Sequence, residues 1–329
     1  MKKVLLIGLG HIGRKHLSSL ELIDIKPTIV EKNISNYYSK NYLCENDLKD
    51  IQNIRDYDFG IICLPNDLHY TYGKKLLNLG LNLIIEKPMC LKSYQALDLM
   101  NISISKNKKI FIVKQNRFGD QIIKLKEVIN TFKWGRPIGF SMDIIWNRNE
   151  EYFLKSDWRG SKKKDGGILY TQFSHYLDLI EWLFGKLDYS YGSIENHLHK
   201  KVSDTEDSIC LLLGRKNKFS GVAHFSINAY QKNLGNRFTV IFENGHIILE
   251  GQNFEEIVFE NGKTSFPKIK PNLKKLFDKK NTTNLHDRFY VYLDKFLNSK
   301  LNDKLNLLAT GDDGLKNLLF IENLYKKIK

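Results

Sequence analysis

The stretch VLLIGLGHIG, residues 4–13, decides the fold. Val4–Ile7 are all apolar and run without a polar break into Gly8, Gly10 and Gly13, which predicts a buried strand turning sharply into a helix. Gly8 would permit the tight turn, Gly10 would remove the side chain where a pyrophosphate must approach, and Gly13 would let helix and strand pack closely. His11 and Ile12 lie at the start of that helix, whose unpaired N–H groups suit a phosphate. Glu31 closes a second strand, PTIVE, about twenty residues further on. A carboxylate there accepts hydrogen bonds from ribose hydroxyls and repels a 2′-phosphate, so the expected cofactor is NAD in preference to NADP.

Outward from this start, residues 1–118 alternate short apolar runs with helical patterns. Strands are predicted at Pro27–Val30, Gly60–Leu64, Leu83–Ile85 and Ile110–Val113, and helices over Leu17–Ile23, Tyr72–Leu79 and Tyr94–Ser105. This rhythm predicts a Rossmann, doubly wound parallel sheet. From residue 119 to 329 the pattern becomes that of an α+β domain with a large, mostly antiparallel open sheet. Helices are predicted near Gln121–Phe132 and Leu169–Phe184, strands at Ile138–Trp146, Ile209–Leu213 and Val222–Ile227, and a hairpin around Asn244-Gly245. Helices near Leu285–Asn298 and Asp312–Lys327 close the chain, and the Lys-rich segment near 268–280 reads as a mobile loop.

A chain of 329 residues with no apolar run long enough to span a bilayer predicts a soluble, two-domain protein. Cys44, Cys63, Cys90 and Cys210 are far apart, with no C-x-x-C pair and no histidine at metal-ligand spacing, so free thiols in a reducing cytoplasm and no metal are expected. The net charge of +14 is spread along the whole chain and not gathered into a basic patch. It argues for an anionic small substrate, with no nucleic acid and no membrane as partner.

Two further strands end in polar loops, one in Pro65-Asn66-Asp67-Leu68-His69 and one in Glu86-Lys87-Pro88. Both would lie on the carboxyl edge of the sheet, where ligands bind in this architecture. Later, Gly166-Gly167 precedes Thr171, Gln172, His175 and Asp178, and at helical spacing Thr171, His175, Asp178 and Trp182 share one stripe while Phe173, Leu177, Ile180 and Phe184 share the opposite one. Together the GxGxxG start, the PNxxH loop, the EKP tripeptide, the H-x-x-D helix and the closing Asp313-Gly314-Leu315 helix resemble the Gfo/Idh/MocA oxidoreductases over nearly the whole chain.

The resemblance implies that Lys87 meets the substrate beside the nicotinamide, that Glu86 helps position it, and that a cis bond precedes Pro88. It implies His175 as the general acid–base, with Asp178 orienting the helix and Thr171 as a possible hydrogen-bonding partner. Pro65, Asn66, His69, Glu86 and Lys87 are then expected to line the cofactor. The sequence departs from the family pattern at Asp165, where a first glycine is usual, and at Thr171, where many members carry Asp.

Gln115-Asn116-Arg117-Phe118, Trp158-Arg159-Gly160 and Gln172 resemble the branch that oxidises UDP-N-acetylglucosaminuronic acid at its 3-hydroxyl in bacterial surface-polysaccharide synthesis. That places Lys87, Asn116, Arg117, Arg159, Gln172 and His175 around an anionic, nucleotide-linked sugar, and implies a homodimer or homotetramer. Oxidation of a free polyol such as an inositol, and a catalytically silent NAD-binding regulator, are the alternatives.

Overall fold

The computed structural model describes residues 3–279, 282–298 and 301–328. The chain divides into two compact units, residues 1–115 with 271–318, and residues 116–270 with 319–329. The expected split into 1–118 and 119–329 therefore does not hold for the later chain: residues 271–318 return to the first unit.

The first unit carries a seven-stranded sheet. Its strands are β1 (Val4–Ile7), β2 (Thr28–Val30), β3 (Cys44–Glu45), β4 (Phe59–Ile62), β5 (Asn82–Ile85), β6 (Ile110–Ile112) and a late strand, Ala309–Thr310. The order is Ala309–Thr310, β6, β5, β4, β1, β2, β3, all parallel except that Ala309–Thr310 runs antiparallel to β6. β1, β4 and the apolar residues of β5 are buried throughout, as near-continuous apolar runs require when both faces are covered. The order reverses beside β1, which puts the turns after β1, β4 and β5 on one edge, the crevice where such sheets hold ligands.

The Lys-rich segment expected to be a loop is helical over Pro271–Lys279. Leu273 and Phe277, one turn apart, are buried, and the Arg288 guanidinium lies 4.9 Å from the Phe277 ring centroid. Two apolar residues at i, i+4 anchor the segment that its lysines make look mobile; Lys280 and Asn281 lie outside the described residues.

The second unit carries another seven-stranded sheet. Its strands, continuing in chain order, are β7 (Pro137–Ile145), β8 (Tyr189–Glu195), β9 (Ser208–Arg215), β10 (Phe219–Ser226), β11 (Gly235–Phe242), β12 (Gly245–Glu250) and β13 (Glu256–Gly262). They are ordered β13-β12-β11-β7-β10-β9-β8, antiparallel apart from the β7–β10 pair. Alternation along β9, β10 and β11 buries one face, where Phe173 stacks on Phe225 and Phe184 on Phe140. On the other face the registers align one row across all seven strands: Tyr191, Leu212, Val222, Ser141, Thr239, Ile248 and Phe259.

That row leaves Tyr191 64% exposed, Val222 50% and Phe259 46%, an apolar band of the kind that marks an assembly face. Light scattering at micromolar concentration is expected to give a multiple of the monomer mass, and Val222→Glu to shift it to monomer without loss of circular dichroism. A monomer mass for the unaltered protein would remove this face as an assembly surface.

Candidate active site

Gly8 has φ +90°, and a Cβ there would come 2.6 Å from the Cys63 carbonyl oxygen; one at Gly13 would fall on the Gly8 carbonyl oxygen. Both glycines are demanded by the chain's own packing. At Gly10 an added Cβ would meet nothing within 4 Å. The open space there suits the close approach of a ligand. Gly10 is the N-cap of helix His11–Glu21 and no side chain caps that end; His11 is exposed and Ile12 half-buried. The Glu31 carboxylate accepts from the Leu9 N–H at 2.7 Å and the Asn33 N–H at 3.2 Å, which fixes it beside the glycine turn. Glu31, Leu9, Gly10, Arg14 and Tyr38 line a cavity of about 260 Å³. Helix end, open glycine and anchored acid fit a dinucleotide.

After β4, Pro65 leads into the short turn Asn66–Leu68, in which Asn66 is buried. His69 follows, 1% exposed, with Nδ1 2.7 Å from the Pro88 carbonyl and Nε2 2.8 Å from the Leu64 carbonyl. Burial holds its pKa below the usual histidine value, against the two carbonyls that favour the cation. His69, expected to line the cofactor, is instead buried between the Pro88 and Leu64 carbonyls, and in its neutral form donates to one of them.

Past β5, the Lys87-Pro88 bond is cis, as the resemblance implies. Glu86 is 6% exposed: one oxygen lies 2.8 Å from His16 Nε2 and 3.6 Å from His286 Nε2, and the other accepts the Lys87 N–H at 3.1 Å. Burial alone would raise its pKa, but the two histidines hold the carboxyl well below its ordinary range. His16 Nδ1 lies 2.6 Å from the Tyr290 hydroxyl. His16, His286 and Tyr290 escaped the sequence reading. The signal was present in the stripe His286, Phe289, Tyr290, Leu293 on helix Leu285–Leu297, but periodicity does not say what a face packs against.

In the second unit the helix starts at Ser174 and not near Leu169, and Gly167–Phe173 form turns. His175 therefore occupies its first turn, and Thr171 precedes it, its one hydroxyl hydrogen shared between the Gly167 carbonyl at 3.0 Å and the Gln172 side-chain oxygen. Both predicted stripes are buried: His175, Asp178 and Trp182 are 7%, 3% and 9% exposed. Asp178 forms a two-pronged ion pair with Arg117 at 2.7 and 2.8 Å, with Arg117 2% exposed. Arg117, expected to meet substrate, spends its guanidinium on this pair, and Asn116 is buried against Tyr176. Asp165, the departure from glycine, accepts the Gly160 N–H at 2.7 Å and so closes the 160–165 loop.

Arg159 lies 4.5 Å above the Tyr152 ring, and the Tyr152 hydroxyl accepts from Gln172 at 3.1 Å. Arg159, Lys200 and Lys201 line an open cavity of about 690 Å³. The two lysines and Tyr152 were not foreseen.

Residues 2–115 match the model of an oxidoreductase family with an NAD-binding Rossmann fold, and residues 122–248 match the Gfo/Idh/MocA C-terminal domain. The chain belongs to the Gfo/Idh/MocA oxidoreductases. The fold is similar to the WlbA dehydrogenase of Bordetella pertussis in complex with NADH and UDP-GlcNAcA, at TM-score 0.86 and 21% identity, covering 99% of this chain and 95% of that one. It is similar also to the Chromobacterium violaceum WlbA complex with the same ligands, at TM-score 0.85 and 23% identity over 99% and 93%. Among curated proteins, oxidoreductase P35 of Formosa agariphila is 27% identical over 169 residues, 50% of this chain and 52% of that protein. The chain spans about half the length of the curated relatives it matches.

The first unit thus carries the family's NAD-binding Rossmann fold, and no helix among the described residues is long and apolar enough to cross a membrane. The buried groups around its EKP loop set a pH dependence. His16 and His69 are both lowered by burial, so the unfolded chain takes up their protons near pH ~6.5 while the fold resists them. Their stabilising contribution is full above that pH and is lost as the pH falls through the folded values; Glu86 acts in the same direction below about pH 4 to 5. The melting temperature is expected to fall between pH 7 and pH 5 in scanning calorimetry. A flat profile over that range would contradict the burial of these histidines.

Proposed function

We propose that this oxidoreductase interconverts a hydroxyl and a ketone on an anionic, nucleotide-linked sugar, a UDP-amino sugar or uronic acid used in bacterial surface-polysaccharide synthesis, as a cytoplasmic homo-oligomer. The observation that carries the reading is the open cavity lined by Arg159, Lys200 and Lys201. Of the acids that line it, Asp157 is paired with the Lys164 ammonium at 2.6 Å and Asp204 accepts the Lys162 N–H, so three cations stand against the one carboxylate that keeps its charge unmatched by Lys164. A free polyol would have no use for such charge. The likeness of fold to enzymes crystallised with NADH and UDP-GlcNAcA supports the same substrate class.

In this reading the backbone N–H groups at Gly10–Gly13 hold the pyrophosphate and Glu31 holds the adenosine ribose. Bound NAD supplies the acceptor and donor of hydride. Lys87 stabilises the charge that develops on the reacting oxygen, and His175 takes or returns the hydroxyl proton. Asp178, neutralised by Arg117, fixes the helix and moves no proton. Thr171 and Gln172 bond each other and hold the turn before His175. The deciding experiment follows NADH absorbance with NAD and a panel of UDP-sugars and free polyols. Turnover of UDP-uronic acids is expected, and turnover of polyols alone would replace this reading.

Cofactor choice should follow Glu31: NAD is expected to bind more tightly than NADP, and Glu31→Ala to weaken the preference, because ribose partner and charge repulsion go together. Equal affinities of the unaltered protein would refute the assignment. Lys87→Ala and His175→Ala are each expected to lower kcat by roughly 10²-fold or more with NAD binding near normal, and the double variant to lose less than the product. Full activity in His175→Ala would make that histidine structural.

A further inference from the structure

Lys87 lies between two buried ties. On one side the Pro88 carbonyl meets His69, and on the other Glu86 accepts the Lys87 N–H and meets His16, which in turn meets Tyr290. The charge and tautomer of the second tie follow from chemistry. A carboxylate only accepts, so His16 donates from Nε2 to Glu86; a neutral imidazole then accepts at Nδ1, and the Tyr290 hydroxyl is the donor. Burial favours this neutral form of His16 and the un-ionised Tyr290. Around the carboxylate stand His16 from helix His11–Glu21, His286 and Tyr290 from helix Leu285–Leu297, and Cys63 after β4. The Ser19 hydroxyl, donating to Asp287 at 2.7 Å, fastens the same two helices.

We propose that Tyr290, His16 and Glu86 form a directional hydrogen-bond chain that positions Lys87 for catalysis. The inference rests on the assignment of Lys87 above. Tyr290 fixes the His16 tautomer, His16 fixes the Glu86 carboxylate, and Glu86 fixes the backbone from which the Lys87 side chain springs. The side-chain nitrogens of His16 and His286 and an oxygen of Glu86 all lie within 4.8 Å of one another, as metal ligands might. A cation would have to break the His16–Glu86 bond at 2.8 Å, which the chain of donors accounts for; His286 Nε2, 3.6 Å from the same Glu86 oxygen, makes no hydrogen bond.

The test is made on the protein with saturating NAD and the sugar it turns over. Glu86→Ala and His16→Ala are each expected to lower kcat about 10- to 100-fold, the range seen when partners of a functional group are removed, while the Kd for NAD changes less than about threefold. The double variant should lose little more than either single one, since the residues act as a unit. Tyr290→Phe, which keeps the ring packed, is expected to lower kcat about 3- to 10-fold. Nitrogen-15 NMR of labelled histidine should read His16 as the Nε2–H tautomer; the Nδ1–H tautomer would overturn the chain's direction.

Additive losses in the double variant, or losses in melting temperature with kcat unchanged, would reduce the chain to scaffold and overturn the proposal. So would a stoichiometric divalent cation retained by the purified protein and lost in His286→Ala. Lys87→Ala separates the two ideas. If it keeps full turnover, the assignment of Lys87 falls and this inference with it; if it loses turnover while Glu86→Ala does not, this inference alone falls.

Discussion

The ligand-facing edge of the first unit depends on keeping one carboxylate charged inside the protein. Glu86 follows directly on a buried strand, where taking an ionised carboxylate out of water costs several kcal/mol after relaxation. Unaided, such a group would take up a proton and lose its hold on its donors. It stays charged because His16 donates to one oxygen and the Lys87 N–H to the other. The donor histidine is itself held by a tyrosine 274 residues away in sequence. The return of residues 271–318 to the first unit is therefore what completes the surroundings of the EKP loop.

This explains how far the sequence could be read. Local chemistry was legible: the strand and glycines of residues 4–13 announce both turn and helix, and Glu31 announces its strand end, because each requirement is met within a few residues. The short apolar core strands were legible for the same reason. The strands Tyr189–Glu195 and Glu256–Gly262 were not, since they lie at the two edges of their sheet, and Glu256–Gly262 is exposed along nearly its whole length and carries no alternating apolar signal. The helix Pro271–Lys279 was hidden by its lysines, although two apolar residues suffice to anchor it.

The site shows the same division. His175 and Lys87 are singled out by the motifs that contain them, but what surrounds them is decided by distant partners. Asp178 looks from its spacing like a companion of His175, whereas its carboxylate is matched to Arg117, whose five donors in a fixed fork suit that pairing. Arg117 and Lys126 then both approach the Trp182 ring, at 5.5 and 4.9 Å. Burial and the neighbouring Arg117 guanidinium bring the Lys126 pKa down to about 8.

Charge balance also bears on the substrate. A net charge of +14 counts ammonium groups without saying which of them face a ligand. Lys114 is buried with its ammonium on Asn317, Lys74 is paired with Asp98, and Lys164 with Asp157. Such cations are already spent on the protein's own acceptors and add little attraction for an anion. Arg159 lies 4.5 Å over the Tyr152 ring and donates one N–H to the Tyr152 carbonyl at 3.1 Å, which fixes its guanidinium and leaves further donors for a ligand. In the proposed reading, what would favour an anionic sugar is thus the guanidinium beside two lysines, and not the excess of positive charge over the whole chain.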